Sequence, residues 1–268
     1  MVAQSANTVA AWCGMRDVSL LTRDSLQDEV GIQNGVADLF VLFGGGVTGI
    51  VDTLAQAMQA GVAQRYAIVG GRGRATYWLD QAMERQMASW KDDDAPGVKP
   101  GLSSEAEMLD ALLWHRFGLH ADFLETQSTN CGNNITYLLD LLEQEGSVPS
   151  SVILCQDEVM QRRMDATWRR QTQDRPAFGA TRVVNWAAYA AALAGNNGEL
   201  MWEQASEGVW PIPTYLQFLV GEVARLTDDE LGYGPAGTGF VVHVDVPPEV
   251  RAARDVLVEW LGRGSDVR

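Results

Sequence analysis

The chain of 268 residues carries 35 acidic side chains against 20 basic ones, so its formal net charge is −15 and its isoelectric point is near 4.5. This charge excludes an unshielded nucleic-acid backbone as a partner, because binding to phosphates requires clustered lysine and arginine. The composition is 46% apolar, yet no window approaches the ~20 apolar residues of a membrane span, which predicts a folded cytoplasmic protein without a membrane partner.

Strands, loops and helices alternate along most of the chain. After a short amphipathic helix over 3–14, the nearly all-apolar stretch 37–43 predicts a parallel strand buried on both faces. Further strands are predicted near 66–69, 121–124, 151–155 and 181–184, with helical patterns between them. This alternation predicts an α/β fold with a Rossmann-like, doubly wound and mainly parallel sheet.

The pattern changes near residue 196. A helix over 213–226, a glycine-rich segment and a strand over 240–244 predict an appendage that acts as a lid or an added edge of the sheet. We therefore divide the chain into a core domain, 1–195, and an appendage packed on it, 196–268. Within the core, the charged loop 91–101 contains two prolines and two glycines, which predicts a mobile surface connection.

Eight small or polar residues, Gln127 to Asn134, separate one predicted strand from the next helix. Ligands of open α/β sheets bind beyond the carboxyl ends of strands, and this many hydrogen-bonding side chains are costly to bury without partners. Serine, threonine and asparagine also cap helices, so a cap and a ligand site remain alternatives. Cys131 has no histidine near it in sequence, and we interpret it as a small filler of the turn.

Two glycine-rich loops also follow strands, at Gly44-Gly45-Gly46 and at Gly70-Gly71. Such loops allow backbone amides to approach an anion closely, although tight packing between a strand and a helix would require the same glycines. The adjacent Arg72 could bind a carboxylate or phosphate with two nitrogens or form a surface ion pair.

Acidic side chains provide the candidate proton carriers. Glu105 begins a helix that has Ser104 and Glu107 at the positions of a capping box. The helix dipole explains an acid there; the alternatives are a bond to a ribose or amine and general-base catalysis. Asp157 and Arg162 flank a strand end and form either an internal ion pair or a site for a zwitterion. The three histidines lack metal-ligand spacing, so we predict no metal site.

Several blocks of the sequence resemble the SanA/ElyC/YdcF-like family. The resemblance spans about residues 8 to 250 and lies in Glu125 to Asn134, Val152 to Arg163, Trp210-Pro211, Tyr215-Leu216, Gly221-Glu222 and Gly232 to Asp245. It implies a bacterial protein with a Rossmann-like fold. One member of that family binds S-adenosylmethionine without an assigned reaction, and membrane-anchored members serve the cell envelope. That S-adenosylmethionine-binding member has Gly-Asn-Ala-Val where this chain has Gly44-Gly45-Gly46-Val47, so a side-chain hydrogen bond is lost here.

The resemblance implies a role for individual residues. Glycine-loop amides with Arg162 or Arg72 would hold the carboxylate of S-adenosylmethionine, and Asp157 or Glu105 would meet its ammonium or ribose hydroxyls and act as the catalytic residue. The residues implied to bind S-adenosylmethionine are Gly44, Gly45, Gly46, Val47, Gly70, Gly71, Arg72, Ser128, Thr129, Asn130, Asn134, Gln156, Arg162 and Tyr233.

The predicted function is therefore that of an S-adenosylmethionine-binding protein, acting as a transferase or lyase. The transferred group would be the methyl group or the aminocarboxypropyl chain, and the latter could also cyclise. One alternative is an enzyme or binding protein for a phosphorylated metabolite or cell-envelope precursor. Another is a non-catalytic sensor of S-adenosylmethionine. A homodimer is also left open.

Overall fold

The computed structural model describes residues 1–90, 97–196, 199–204 and 208–264. Five parallel strands form the central sheet: β1 (Ala37–Phe43), β2 (Ala63–Val69), β3 (Phe123–Glu125), β4 (Ser151–Gln156) and β5 (Arg182–Ala187). Their order is β3-β2-β1-β4-β5, so the chain moves outward from β1 and then returns to its other side. The predicted doubly wound α/β fold is confirmed. Its switch point lies between β1 and β4, where such sheets open a crevice for ligands.

Helices cover both faces of this sheet. They are α1 (Val2–Cys13), α2 (Arg23–Asp28), α3 (Ile50–Ala60), α4 (Thr76–Met87), α5 (Glu105–Phe117), α6 (Cys131–Gln144), α7 (Gln161–Thr172), α8 (Ile212–Leu226) and α9 (Pro248–Gly264). The predicted capping box of α5 is confirmed, since Glu107 N donates to Ser104 Oγ at 3.1 Å and Ser104 N donates to Glu107 Oε2 at 2.7 Å.

Alternate residues of β1 belong to two separate parts of the core. Phe40 and Leu42 lie in a cluster with apolar residues of α1, α3, α5, α8 and α9. Leu39, Val41 and Phe43 lie in a second cluster with residues of α6 and α7. Successive side chains of a strand point to opposite faces, so the all-apolar strand predicted from the sequence is buried between two layers of helices.

The C-terminal part differs from its prediction in three respects. The strand predicted over 240–244 is wrong: Val241 N donates to Tyr233 O at 3.0 Å and Val242 N donates to Ala166 O at 3.2 Å, so this segment lies against α7 and a loop. An antiparallel hairpin of β6 (Leu193–Asn196) and β7 (Glu199–Trp202) forms apart from the central sheet. Helix α9, which was not predicted, packs against α1 and α8.

The boundary proposed at residue 195 stays a prediction, although residues of α8 and α9 share one hydrophobic cluster with α1 and β1. The predicted mobile loop 91–101 lies partly outside the described residues. Within the described ranges, none of the helices combines the length and the apolar character that crossing a membrane requires.

Candidate functional site

A cavity of about 560 Å³ lies at the carboxyl ends of β1, β2 and β4, beside the switch point of the sheet. Its walls come from the loops after β1, β2 and β3, the first turns of α5 and α6, and side chains of α4, α7 and α8. Eight of the residues predicted to form the site line it: Gly44, Gly45, Glu105, Ser128, Thr129, Asn130, Asn134 and Tyr233. The cavity therefore lies at the carboxyl end of the sheet, the edge at which the sequence predicts the site.

The other predicted residues do not line this cavity. They are Gly46, Val47, Gly70, Gly71, Arg72, Gln156, Asp157 and Arg162. Val47 is buried in the hydrophobic core, and the contacts of the others are described below.

The glycines behind the cavity wall are required by close packing. A methyl group on Gly70 would lie 3.0 Å from the Gly44 Cα, and one on Gly71 would lie 2.1 Å from the Ser128 carbonyl oxygen. Gly71 N donates to Ser128 Oγ at 3.0 Å, which ties the second glycine loop to the polar turn. Gly46 lies against the ring of Trp210, and a methyl group added to Gly46 would lie 2.2 Å from Trp210 Cη2. For these glycines, tight packing is the interpretation that the contacts support.

Gln156 fixes the first glycine loop from behind. Its Nε2 donates to Gly44 O at 3.0 Å and its Oε1 accepts from Asp157 N at 2.6 Å. Its own backbone N donates to Gln161 Oε1 at 2.8 Å, and Gln161 Nε2 donates in turn to Asn185 Oδ1 at 3.1 Å. Each amide in this buried chain has only one orientation that satisfies its neighbours, so the loop that carries Gly44 is held in a single position.

The polar turn contains the predicted helix cap, and it also lines the cavity. Asn130 caps α6, since its Oδ1 accepts from Asn133 N at 3.0 Å. The Glu125 Oε1 accepts from Gln127 N at 2.6 Å and Ser128 N at 2.9 Å, which sets the start of the turn. Asn134 lines the cavity and is only 6% exposed, yet its side-chain amide has no hydrogen-bond partner in the described part of the chain. Because this amide lines the cavity and makes no bond to a described residue, it is available to a ligand.

Glu105 presents one free carboxylate oxygen at the cavity. Thr76 Oγ1 donates to its Oε1 at 2.5 Å, whereas no described group donates to Oε2. Burial raises the pKa of Glu105 to about 7, although the bond from Thr76 and the charge of Arg72 oppose that rise. A carboxyl group with a pKa near neutrality can both accept and release a proton at neutral pH.

The two arginines predicted to bind a ligand carboxylate have other partners. Arg72 Nη2 donates to Asp80 Oδ2 at 2.6 Å and its Nη1 donates to Ser103 O at 2.6 Å, which realises the ion-pair alternative. Arg162 Nε donates to Trp12 O, and its guanidinium lies 4.8 Å above the ring centre of the same residue. Both guanidinium groups are outside the cavity lining.

A different pair of arginines lines the cavity. Arg163 Nε and Nη2 donate to the two carboxylate oxygens of Glu222 at 2.6 and 2.9 Å, and Arg225 Nη1 donates to Glu222 Oε1 at 2.9 Å. One carboxylate thus neutralises only one of two guanidinium groups. Arg74, also in the lining, has neither an ion pair nor a hydrogen bond with any described residue. The cavity is therefore cationic although the chain is acidic overall.

The sequence contains a signal for the ion pairs between Glu222 and the two arginines, and the prediction of the site residues did not use it. Glu222 lies on the buried stripe of α8, with Tyr215, Leu219 and Leu226 at helical spacing. A carboxylate on an apolar helix face requires a charged partner, and that rule would have indicated a buried ion pair. The adjacent Arg162 and Arg163 point to different sides of α7, and only the packing of α8 identifies Arg163 as the partner.

The second predicted catalytic residue, Asp157, is fully buried away from the cavity. Its Oδ1 accepts from Val159 N at 2.8 Å and from Tyr189 Oη at 3.0 Å, and its Oδ2 accepts from the Trp210 indole. Burial raises the pKa of Asp157 to about 6. Neither the ion pair with Arg162 nor the zwitterion site proposed for these two residues is realised by their contacts, because Arg162 binds Trp12 instead.

Cys131 lines the cavity, and burial raises the pKa of its thiol. This disfavours the thiolate that a nucleophile requires and agrees with its interpretation as a filler of the turn.

Among the residues that the structure describes, none of the groups of histidine, cysteine, aspartate and glutamate could hold a metal ion. A comparison of the chain with models of known protein families finds no match. The resemblance stated above therefore stays a prediction, and the geometry of the cavity carries the functional argument.

Proposed function

We propose that the cavity binds a small zwitterionic nucleoside of the S-adenosylmethionine type. The observation that carries this proposal is the convergence in one cavity of Asn134, the arginines around Glu222 and the free oxygen of Glu105. A guanidinium binds a carboxylate, the Glu105 carboxylate attracts a sulfonium or ammonium, and the amide bonds a base or hydroxyl. The rings of Trp78, Phe218 and Tyr233 also line the cavity and provide flat apolar surfaces for an adenine.

Glu105 would be the catalytic residue, since it is the carboxyl group with a free oxygen in the cavity. The sulfonium is already activated, so methyl transfer requires only that an acceptor lie in line with the carbon attached to sulfur. Cyclisation of the aminocarboxypropyl chain through its amine would form a bond from nitrogen to the carbon attached to sulfur and release methylthioadenosine. The ammonium must first lose a proton, which Glu105 Oε2 could accept above its pKa of about 7. Asp157 is excluded from this role by its position and its three donors.

Isothermal titration calorimetry with S-adenosylmethionine and S-adenosylhomocysteine tests the proposal. We expect binding by the wild type and about fivefold weaker binding by Asn134→Ala, because a net hydrogen bond contributes about 1 kcal/mol. Arg225→Gln should also weaken binding. The matched control is Arg170→Gln, which changes an arginine of similar exposure whose partner is the surface residue Asp174. If millimolar ligand produced neither heat of binding nor a shift of the unfolding temperature, the proposal would be refuted.

A second candidate ligand is a phosphorylated metabolite. The three arginines of the lining, of which two share the Glu222 carboxylate, also favour it. The pH dependence of affinity separates the two ligands because Glu105 ionises near pH 7. A cationic sulfonium should bind more tightly as pH rises through 7, whereas a phosphate ester should bind less tightly. Glu105→Gln should remove either trend, so a trend that survives this substitution would contradict the role of Glu105.

Incubation of labelled S-adenosylmethionine with the protein alone then distinguishes a catalyst from a sensor. Methylthioadenosine as the product would indicate chemistry on the aminocarboxypropyl chain, and its formation should be abolished in Glu105→Gln. S-adenosylhomocysteine would indicate methyl transfer to a co-purified acceptor. Recovery of intact ligand after binding would support the non-catalytic alternative.

A further inference from the structure

We propose that a second cavity beside the first binds a small organic carboxylate with an apolar body. This cavity has a volume of about 330 Å³ and lies between the first turns of α6, the side of α7 and the segment that carries Phe240 and Val241. Four residues line both cavities: Asn130, Cys131, Arg163 and Tyr233. The two cavities therefore adjoin. The proposal goes beyond the function proposed above, because it does not depend on which ligand occupies the first cavity.

Three nitrogen donors in the lining of the second cavity have no acceptor within the described part of the chain. Asn133 Oδ1 accepts from Thr129 Oγ1 and Asn130 Nδ2 at 2.9 and 2.8 Å, which leaves its own Nδ2 unbonded. Arg163 uses Nε and Nη2 on Glu222, which leaves Nη1. The amide of Gln171 makes no side-chain hydrogen bond with any described group.

Two threonine hydroxyl groups in the lining have no hydrogen left to donate to a ligand. Thr136 Oγ1 donates to Gly132 O at 3.1 Å and Thr167 Oγ1 donates to Arg163 O at 2.7 Å, so both hydrogens are used within their own helices. The wall thus offers a guanidinium and amide N–H groups to a ligand. Such a surplus of donors, one of them charged, favours an oxyanion over a neutral or cationic group.

The opposite wall is apolar. Phe240 is 58% exposed, and its ring packs against Tyr233 with centroids 5.6 Å apart. Val241 lies beside it in the lining. Covering this surface is favourable for a ligand with a hydrocarbon portion, whereas a bare inorganic anion would leave it exposed to water. The two walls together therefore fit an organic carboxylate.

The test uses 3-phenylpropanoate as the probe and 3-phenylpropan-1-ol as its neutral counterpart. Binding of each compound to the full chain is measured by NMR and calorimetry. We expect the acid to bind and the alcohol to bind at least about tenfold more weakly, because bonds to charged groups are the stronger ones. Gln171→Leu should weaken binding of the acid several-fold. Its control, Gln173→Leu, makes the same change on an exposed residue outside the lining.

A filling substitution separates this site from the first cavity. Thr136→Trp places a ring in the second cavity from a half-buried position that does not line the first. It should abolish binding of the acid and leave the first cavity's ligand affinity within about twofold of wild type. Absence of binding to the wild type, equal binding of the alcohol, or binding that survives both Gln171→Leu and Thr136→Trp would overturn the proposal. Failure of S-adenosylmethionine to bind would leave it standing.

Discussion

Replacing Gln156 with leucine tests whether the buried amide chain holds the first glycine loop. Gln156 is 1% exposed, its Nε2 donates to Gly44 O and its Oε1 accepts from Asp157 N. Leucine fills similar space but leaves a buried carbonyl and a buried amide without their partners. Each orphaned group costs about 1–3 kcal/mol, so the free energy of unfolding should fall by about 2–6 kcal/mol.

Urea unfolding followed by tryptophan fluorescence measures this loss, and an unchanged slope with denaturant would show that the folded state is still compact. Gln64→Leu is the matched control, since Gln64 is exposed and makes one bond, from Nε2 to Asp38 Oδ1 at 3.1 Å. It should change stability by less than about 0.5 kcal/mol. A Gln156→Leu variant as stable as this control would refute the reasoning. Because Gly44 lines the cavity, ligand affinity should fall in Gln156→Leu and not in Gln64→Leu.

Three further substitutions have calculable outcomes. Burial raises the pKa of Asp157 from 3.8 to about 6, so the folded chain holds an extra proton between these values. The stability contributed by this group is therefore present below about pH 4 and falls by about 3 kcal/mol as pH rises through 6, a slope that Asp157→Asn should remove. Gly71→Ala places a methyl group 2.1 Å from Ser128 O, which should lower the free energy of unfolding by about 1–3 kcal/mol. Thr76→Val removes the bond that favours ionised Glu105, so the midpoint of pH-dependent ligand affinity should move above 7.

Thermal and urea unfolding across pH check the first two of these outcomes, and calorimetry across pH checks the third. An Asp157→Asn variant with the wild-type pH slope would contradict the buried position of this carboxyl group. Gly195→Ala is the control for Gly71→Ala, because a methyl group there meets no atom of the described residues within 4 Å. Equal stability of the two alanine variants would contradict the close packing of the glycine loop on the polar turn.

The general position of the site could be predicted from the sequence because its signals are local. Apolar stretches separated by glycine and polar loops predict strands whose carboxyl ends share one edge of a parallel sheet. Gly44 to Gly46, Gly70-Gly71 and Gln127 to Asn134 were identified for that reason. Of these, Gly44, Gly45, Ser128 to Cys131 and Asn134 line the first cavity. The capping box of α5 is similarly local, since it depends on residues three positions apart.

The choice of partner for each charged side chain could not be predicted in this way. Arg72 lies eight residues from Asp80 and binds it, whereas Arg163 binds Glu222, 59 residues away on another helix. Arg162 and Arg163 are neighbours in sequence with equal charge and propensity. Only the arrangement of α1, α7 and α8 directs one to Trp12 and the other to the cavity.

The sequence by itself determined the alternation of strands and helices, the parallel sheet, and the edge at which glycines and polar side chains collect, because hydrophobic periodicity and turn chemistry act over a few residues. The tertiary structure decided which of those groups line a cavity and which form hydrogen bonds or ion pairs with other residues of the chain. It buried Asp157 beneath Trp210 and paired Arg72 with Asp80. It left the Asn134 side-chain amide and Glu105 Oε2 without a hydrogen bond to any residue that the structure describes. Burial and partner choice depend on residues far apart in sequence, and these long-range contacts form only when the helices pack on the sheet.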